Sequence, residues 1–146
     1  MMSIDQLRAV ARSAAIAAGI DPGLVQAVCQ HESSWNPWSV RYEPVFYQTY
    51  VSHMKLPETE KQTRATSWGL MQIMGQVARE KGFDGKYLTE LLDPLTGVTY
   101  GCKKLKECLD KERGDVRSAL LRWNGGGNSA YPDYVIPLIP LAVAIP

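Results

Sequence analysis

The chain has 146 residues, 45% hydrophobic and 21% charged, the balance of one globular domain with a real core rather than of a disordered segment. Lysine and arginine (16) nearly cancel aspartate and glutamate (15), and the net charge of +1 gives no electrostatic case for a nucleic-acid partner. Three cysteines, Cys29, Cys102 and Cys108, form no disulfide framework and read as free buried thiols.

In chain order, Met1 to Gln6 carries neither a basic region nor a long apolar run, so no signal peptide is expected. Ser3 and Gln6 make a capping box for a first helix, with Ile4, Leu7, Val10, Ala11 and Ala14 at helical spacing and Gly19 as its stop. Asp21-Pro22 opens a second helix that runs to about Ser34. Glu43 to Val51, rich in aromatic residues, reads as a helix or an irregular segment, and the polar stretch Leu56 to Ala65 reads as a surface loop. Thr66 or Ser67 starts a third helical pattern through Leu70, Ile73, Met74 and Val77, which Gly82 ends. Asp93-Pro94 opens another helix through Tyr100, Leu105 and Leu109. Gly114-Asp115 begins a last one through Trp123, followed by an Asn124 to Asn128 turn. Alternating strand patterns are scarce. The expected fold is mainly α, in one domain spanning residues 1–146. The apolar tail from Val135 to Pro146 has about half the length of a membrane span and is broken by Pro137 and Pro140, so it is expected to pack back on the domain and not to insert stably in a membrane.

The chemistry concentrates at His31-Glu32-Ser33-Ser34-Trp35-Asn36-Pro37. Leu24, Val28 and Glu32 are four apart and share one helix face, which aims the carboxyl toward the interior or a cleft wall. Asn36-Pro37 is expected to end the helix. A carboxyl at that end feels the negative pole of the helix dipole, and desolvation raises its pKa further. Such a group is a candidate general acid. Other motifs fail. His31-Glu32 opens like a zinc-protease helix, but position 35 holds Trp35 and the chain has only His31 and His53. The glycines at 125–127 lack the following Lys-Ser/Thr of a phosphate loop, and Ser67 is not in a nucleophile elbow. Neither a metal nor a cofactor is implied.

Four blocks in order carry a family resemblance: Glu32 to Pro37, Ser67 to Met74, Trp123-Asn124-Gly125-Gly126, and Tyr134-Val135. Together they resemble the soluble lytic transglycosylases, lysozyme-like enzymes related to goose-type lysozymes, from about residue 20 to 136. The resemblance implies a lysozyme-like fold acting, as a monomer, on the glycan strands of peptidoglycan. It implies cleavage of the β-1,4 bond between N-acetylmuramic acid and N-acetylglucosamine to leave 1,6-anhydromuramoyl ends. Glu32 matches the family's acid and base, and Tyr134 a tyrosine that orients it. Met71 and Gln72 match a pair lining the saccharide cleft, and Ser67 and Asn124 match positions that support the glutamate or bind sugar. The domain's size and lack of an export signal are similar to phage or prophage lysins, held in the host cytoplasm until release to the wall or carried on the virion. Two departures stand out. Val40 to Thr66 is longer than the family's usual link, and Trp123-Asn124-Gly125-Gly126 replaces Tyr-Asn-Ala-Gly.

Bland roles stay open beside these. Met71 fits ordinary core, Ser67 a helix N-cap, Tyr134 a packing aromatic, and Trp35, Trp38 and Tyr42 either packing or sugar stacking. Hydrolytic glycosidases pair two carboxylates. Glu43 is the candidate partner, placed with the cleft residues here, though an ion pair with Arg41 or Arg64, a helix N-terminal charge or a part in shaping the cleft is favoured over water activation; Asp133 is a weaker candidate. The alternatives are therefore goose-type hydrolysis with Glu43 or Asp133 assisting, and a non-catalytic peptidoglycan-binding module.

Overall fold

The computed structural model describes residues 1–143. Helix α1 (Ile4–Ala18) starts on the capping box: Ser3 Oγ accepts from the Gln6 amide at 3.2 Å, and the Gln6 carboxamide accepts from the Ser3 amide at 2.8 Å. Gly19, at φ 73°, ends it. Asp21 caps helix α2 (Pro22–Ser33) by accepting from the Gly23 amide at 3.2 Å. Every residue of α2 from Gly23 to Cys29 is buried, so this helix is surrounded and not merely amphipathic.

After α2 come a short strand β1 (Val40–Tyr42), helix α3 (Pro44–Phe46), a π-helical turn (Tyr47–Val51) and helix α4 (Glu58–Arg64). Strands β2 (Thr66–Trp68) and β3 (Ile73–Met74) complete an antiparallel sheet in the order β1-β2-β3, with Ser67 opposite Arg41 on one side and Met74 on the other. Helix α5 (Gly75–Glu80), a 3-10 turn (Leu88–Leu92), helix α6 (Pro94–Lys111) and helix α7 (Val116–Trp123) follow. Asp93 and Asp115 cap α6 and α7, as their sequence positions suggest. Helix α8 (Tyr131–Val135), a 3-10 turn (Ile136–Leu138) and helix α9 (Ile139–Val143) return to pack on α2.

The main core joins α1, α2, α6, α7 and α8 through Leu7, Val25, Val28, Val98, Leu105, Leu120 and Val135. A smaller cluster of Trp68, Ile73, Ala78, Phe83, Leu88 and Leu91 lies against the sheet. The three cysteines are free and buried. Among the described residues no helix is long and apolar enough to cross a membrane. The apolar tail packs back through Val135, Ile136, Leu138 and Ile139, while its residues 144–146 lie outside the described residues.

Two expected elements differ. The helical spacing from Thr66 to Val77 is broken by Gly69 at φ 71° and Gln72 at φ 53°, both left-handed, so the stretch folds as a hairpin and only residues from Gly75 are helical. Thr66, Trp68 and Ile73 are β-formers, and the pairing of Thr66 and Trp68 with β1 and of Ile73 with Trp68 overrides the spacing. Ser67 is consequently a strand residue and not a helix N-cap. The expected surface loop Leu56 to Ala65 contains α4. Its signal was charge and not hydrophobicity: Glu58 and Glu60 occupy the first turn, Lys61 and Arg64 the last, complementing the helix dipole.

The β3–α5 junction leaves no room for a side chain at Gly75. A methyl there would overlap the Thr63 carbonyl oxygen and press on Arg64 Cα. Gly75→Ala is expected to cost about 1–3 kcal/mol and lower the melting temperature by roughly 3–10 °C, read by thermal unfolding.

Candidate active site

Helix α2 delivers Glu32 to the wall of a cleft of ≈ 570 Å³ between the helical core and the sheet. The chain stops being helical before Asn36-Pro37. Ser34 (φ 50°) and Trp35 (φ 63°) are both left-handed, and Trp35 is buried beneath the Arg8 guanidinium. This abrupt exit leaves Glu32 on the last turn, half-buried. Burial pushes its pKa from an ordinary 4.5 to about 7, against the opposing pull of Tyr131, Lys104 and Arg41.

The sheet supplies the facing wall. Ser67 Oγ, in the middle of β2, donates to Met74 Sδ at 3.0 Å. Gln72 uses its carboxamide N–H to donate to Ser39 O at 3.0 Å and Gly69 O at 2.9 Å. That fixes the amide plane and leaves its carbonyl oxygen without a hydrogen bond among the described residues. Asn124, the C-cap of α7, lines the cleft from the other side. Glu43 lies in the same cleft, its carboxylate paired with Arg41 Nε at 3.0 Å. The structure thus brings together Glu32, Ser67, Gln72, Asn124 and Glu43.

Met71 and Tyr134 lie outside the cleft lining. Met71 is 1% exposed and belongs to the main core, packed where Gly101 of α6 lacks a side chain. The hairpin turn sends neighbouring side chains to opposite sides, so Met71 points inward while Gln72 points to the cleft. Tyr134 is 56% exposed, stacks on His31 at 5.7 Å and does not line the cleft. Tyr131, one helical turn earlier and 3% exposed, occupies the place beside the acid. Its hydroxyl is buried near the Glu32 carboxyl without being aligned into a well-formed hydrogen bond, and burial together with the adjacent Glu32 raises its own pKa. Asp133 is paired with Arg117 at 2.7 Å, away from the cleft lining.

Lys104 is a cleft residue that no motif announced. Its ammonium donates to Trp123 O at 2.9 Å and lies 4.5 Å over the Trp123 ring, with its pKa lowered by burial. A signal existed: Lys104 falls on the stripe Gly97, Gly101, Leu105, Cys108, the buried face of α6, where a lysine is out of place unless it has a role. Among the described residues no group of three or more His, Cys, Asp or Glu is placed to hold a metal ion.

Residues 9–131 match the family model described as the transglycosylase SLT domain. The chain belongs to that family. A protein described as a transglycosylase, from Enterobacteria phage PRD1, is 32% identical over 111 residues, covering 76% of this chain and 31% of that protein. The chain thus spans less than a third of that relative's length. No solved structure matches it. The matched SLT residues include α2 with Glu32, the β2–β3 hairpin, Lys104, Asn124 and Tyr131, so the cleft lies wholly inside the family region, while Tyr134 lies just beyond it.

The raised Glu32 pKa fixes the sign of a stability effect. A carboxyl whose folded pKa exceeds its unfolded value favours folding while protonated, and that contribution is lost as pH climbs from 4.5 to about 7. Glu32→Gln is expected to match the wild-type SLT domain in acid and to exceed its stability by about 1–3 kcal/mol above that range. Paired thermal melts across pH check this; a constant difference at all pH values would contradict it.

Proposed function

We propose that this SLT domain cleaves the β-1,4 bond between N-acetylmuramic acid and N-acetylglucosamine in peptidoglycan, with Glu32 as its general acid and then its base. The observation that carries the reading is a half-buried carboxyl with a pKa of about 7 at the wall of a polar cleft. Such a group is protonated in useful proportion near neutrality and accepts the proton back readily. Protonated Glu32 gives its proton to the glycosidic oxygen as the C1–O bond breaks. The resulting carboxylate takes the proton of the muramoyl 6-hydroxyl, whose oxygen attacks C1 to close the 1,6-anhydro ring. The nucleophile is tethered to the sugar, which gives it a high effective molarity and removes the need for a bound water.

The rest of the cleft supports these steps. Lys104 and Arg41 place positive charge near the carboxylate formed after the first transfer. Gln72 and Asn124 offer amide groups to sugar hydroxyls and acetamido groups, and Ser67 a hydroxyl. Glu43 in the same cleft supports one rival reading, hydrolysis by an activated water. Its ion pair with Arg41 favours a charge-compensated role in shaping the wall. A purely binding role gives no reason to maintain a carboxyl at about 7. Similarity to a phage protein described as a transglycosylase supports a role as a phage lysin, released to the wall or carried on the particle.

Glu32→Gln keeps the shape and removes the transferable proton. It is expected to lower the release of soluble fragments from purified peptidoglycan by about 10²–10⁴-fold. Retained cleavage would overturn the assignment. Wild-type kcat/KM is expected to fall as pH rises past about 7, because the acid form is being lost. Tyr131 holds the Glu32 pKa down, so Tyr131→Phe is expected to move that alkaline limb upward. An unmoved limb in Tyr131→Phe would remove Tyr131 from the electrostatics of the site.

A further inference from the structure

We infer that a groove beside the Glu32 cleft, walled by Phe46, Tyr50 and Val77 and completed by Thr49, His53 and Gln76, is a second saccharide-binding stretch that holds the glycan strand beyond the sugars being cleaved. This rests on the reading of the Glu32 cleft as a glycan site.

The groove has a volume of ≈ 420 Å³ and shares Phe46, Tyr50 and Val77 with the cleft, so one wall serves both. Phe46 and Tyr50 are one turn apart, with ring centres 4.9 Å apart and planes tilted by 49°. Tyr50 is 56% exposed. Exposed rings usually fold down onto a core unless something holds them out. Here the π-helical turn is anchored by fully buried Val51, by Lys61 Nζ donating to Ser52 O at 2.8 Å, and by the Tyr47 hydroxyl donating to Glu58 at 2.5 Å. The turn that carries the two rings is therefore held in place, and the rings rest against each other.

The opposite side is polar and also fixed. The Gln76 carboxamide accepts from Arg64 Nη1 at 3.0 Å and donates to Glu80 Oε1 at 2.9 Å. A pyranose has one C–H-rich face and a rim of hydroxyls, the complement of an aromatic wall facing hydroxyl and amide groups. The lining holds the carboxylate of Glu80 and no lysine or arginine, so a strongly anionic occupant is disfavoured. Continuity favours a glycan as the occupant: the groove shares the Phe46, Tyr50 and Val77 wall with the cleft, so a polymer lying across Glu32 can run on along it.

The test uses the Glu32→Gln protein and measures binding of N-acetylglucosamine–N-acetylmuramic acid oligomers of graded length, with and without stem peptides, by calorimetry. Affinity is expected to keep rising with length after short oligomers have filled the cleft, with or without peptide. Adding Tyr50→Ala, or His53→Ala in a separate protein, is expected to lower the long-to-short affinity ratio about three- to tenfold. A ratio that survives both substitutions overturns the groove while leaving the cleft intact. A length effect seen only with peptide-bearing oligomers assigns the groove to the stem peptide and overturns the glycan assignment. Failure of every oligomer to bind removes the reading of the cleft itself, and the groove with it.

Discussion

A carboxyl kept largely out of water at the end of a surrounded helix is the constraint to which the rest of this fold answers. Glu32 is partly shielded from solvent because α2 is buried through most of its length and then breaks off at once. The break uses two non-glycine residues in left-handed conformation, Ser34 and Trp35, each costing on the order of 1–2 kcal/mol. Burial of the Trp35 ring beneath Arg8 offsets that cost. The exit loop is then tied to the hairpin opposite, since Ser39 O accepts from both the Gly69 amide at 2.8 Å and the Gln72 carboxamide at 3.0 Å. One carbonyl oxygen thus joins the end of the acid-bearing helix to the wall it faces.

The charges around the acid oppose its burial without cancelling it. Desolvation is the largest influence on Glu32, and Tyr131, Lys104 and Arg41 each act in the other direction. Lys104 is itself costly to bury, and its hydrogen bond to Trp123 O and its place over the indole ring offset part of that cost. Glu32 and Lys104 belong to one electrostatic unit built from α2 and α6. The two helices are linked through the main core, where Met71 fills the space above Gly101. Met71 therefore has a structural part near the site without touching the cleft.

Caps, stops and the position of the acid were legible from residue spacing. Ser3, Asp21, Asp93 and Asp115 each accept the backbone hydrogen bond that their place before an apolar run suggests. Glu32 at the end of an apolar helix face was legible for the same reason. The hairpin was not, because Leu70, Ile73, Met74 and Val77 satisfy helical spacing while their side chains actually serve a turn and two strands. Positive φ at Gln72 is a tertiary outcome, fixed by its bonds to Ser39 and Gly69. Tyr131 and Tyr134 are three apart and equally placed by periodicity, so only the direction from which α8 meets α2 separates the buried ring from the exposed one. Helix α4 escaped because it buries no residue of its own.

The central claim is that one carboxyl moves both protons and that no water enters the product. The most direct test is mass spectrometry of the fragments released from peptidoglycan in water enriched in heavy oxygen. The account predicts muramoyl ends lighter than reducing ends by one water and free of the label. Reducing ends carrying heavy oxygen would contradict it, establish attack by water, and turn attention to Glu43 and its Arg41 partner.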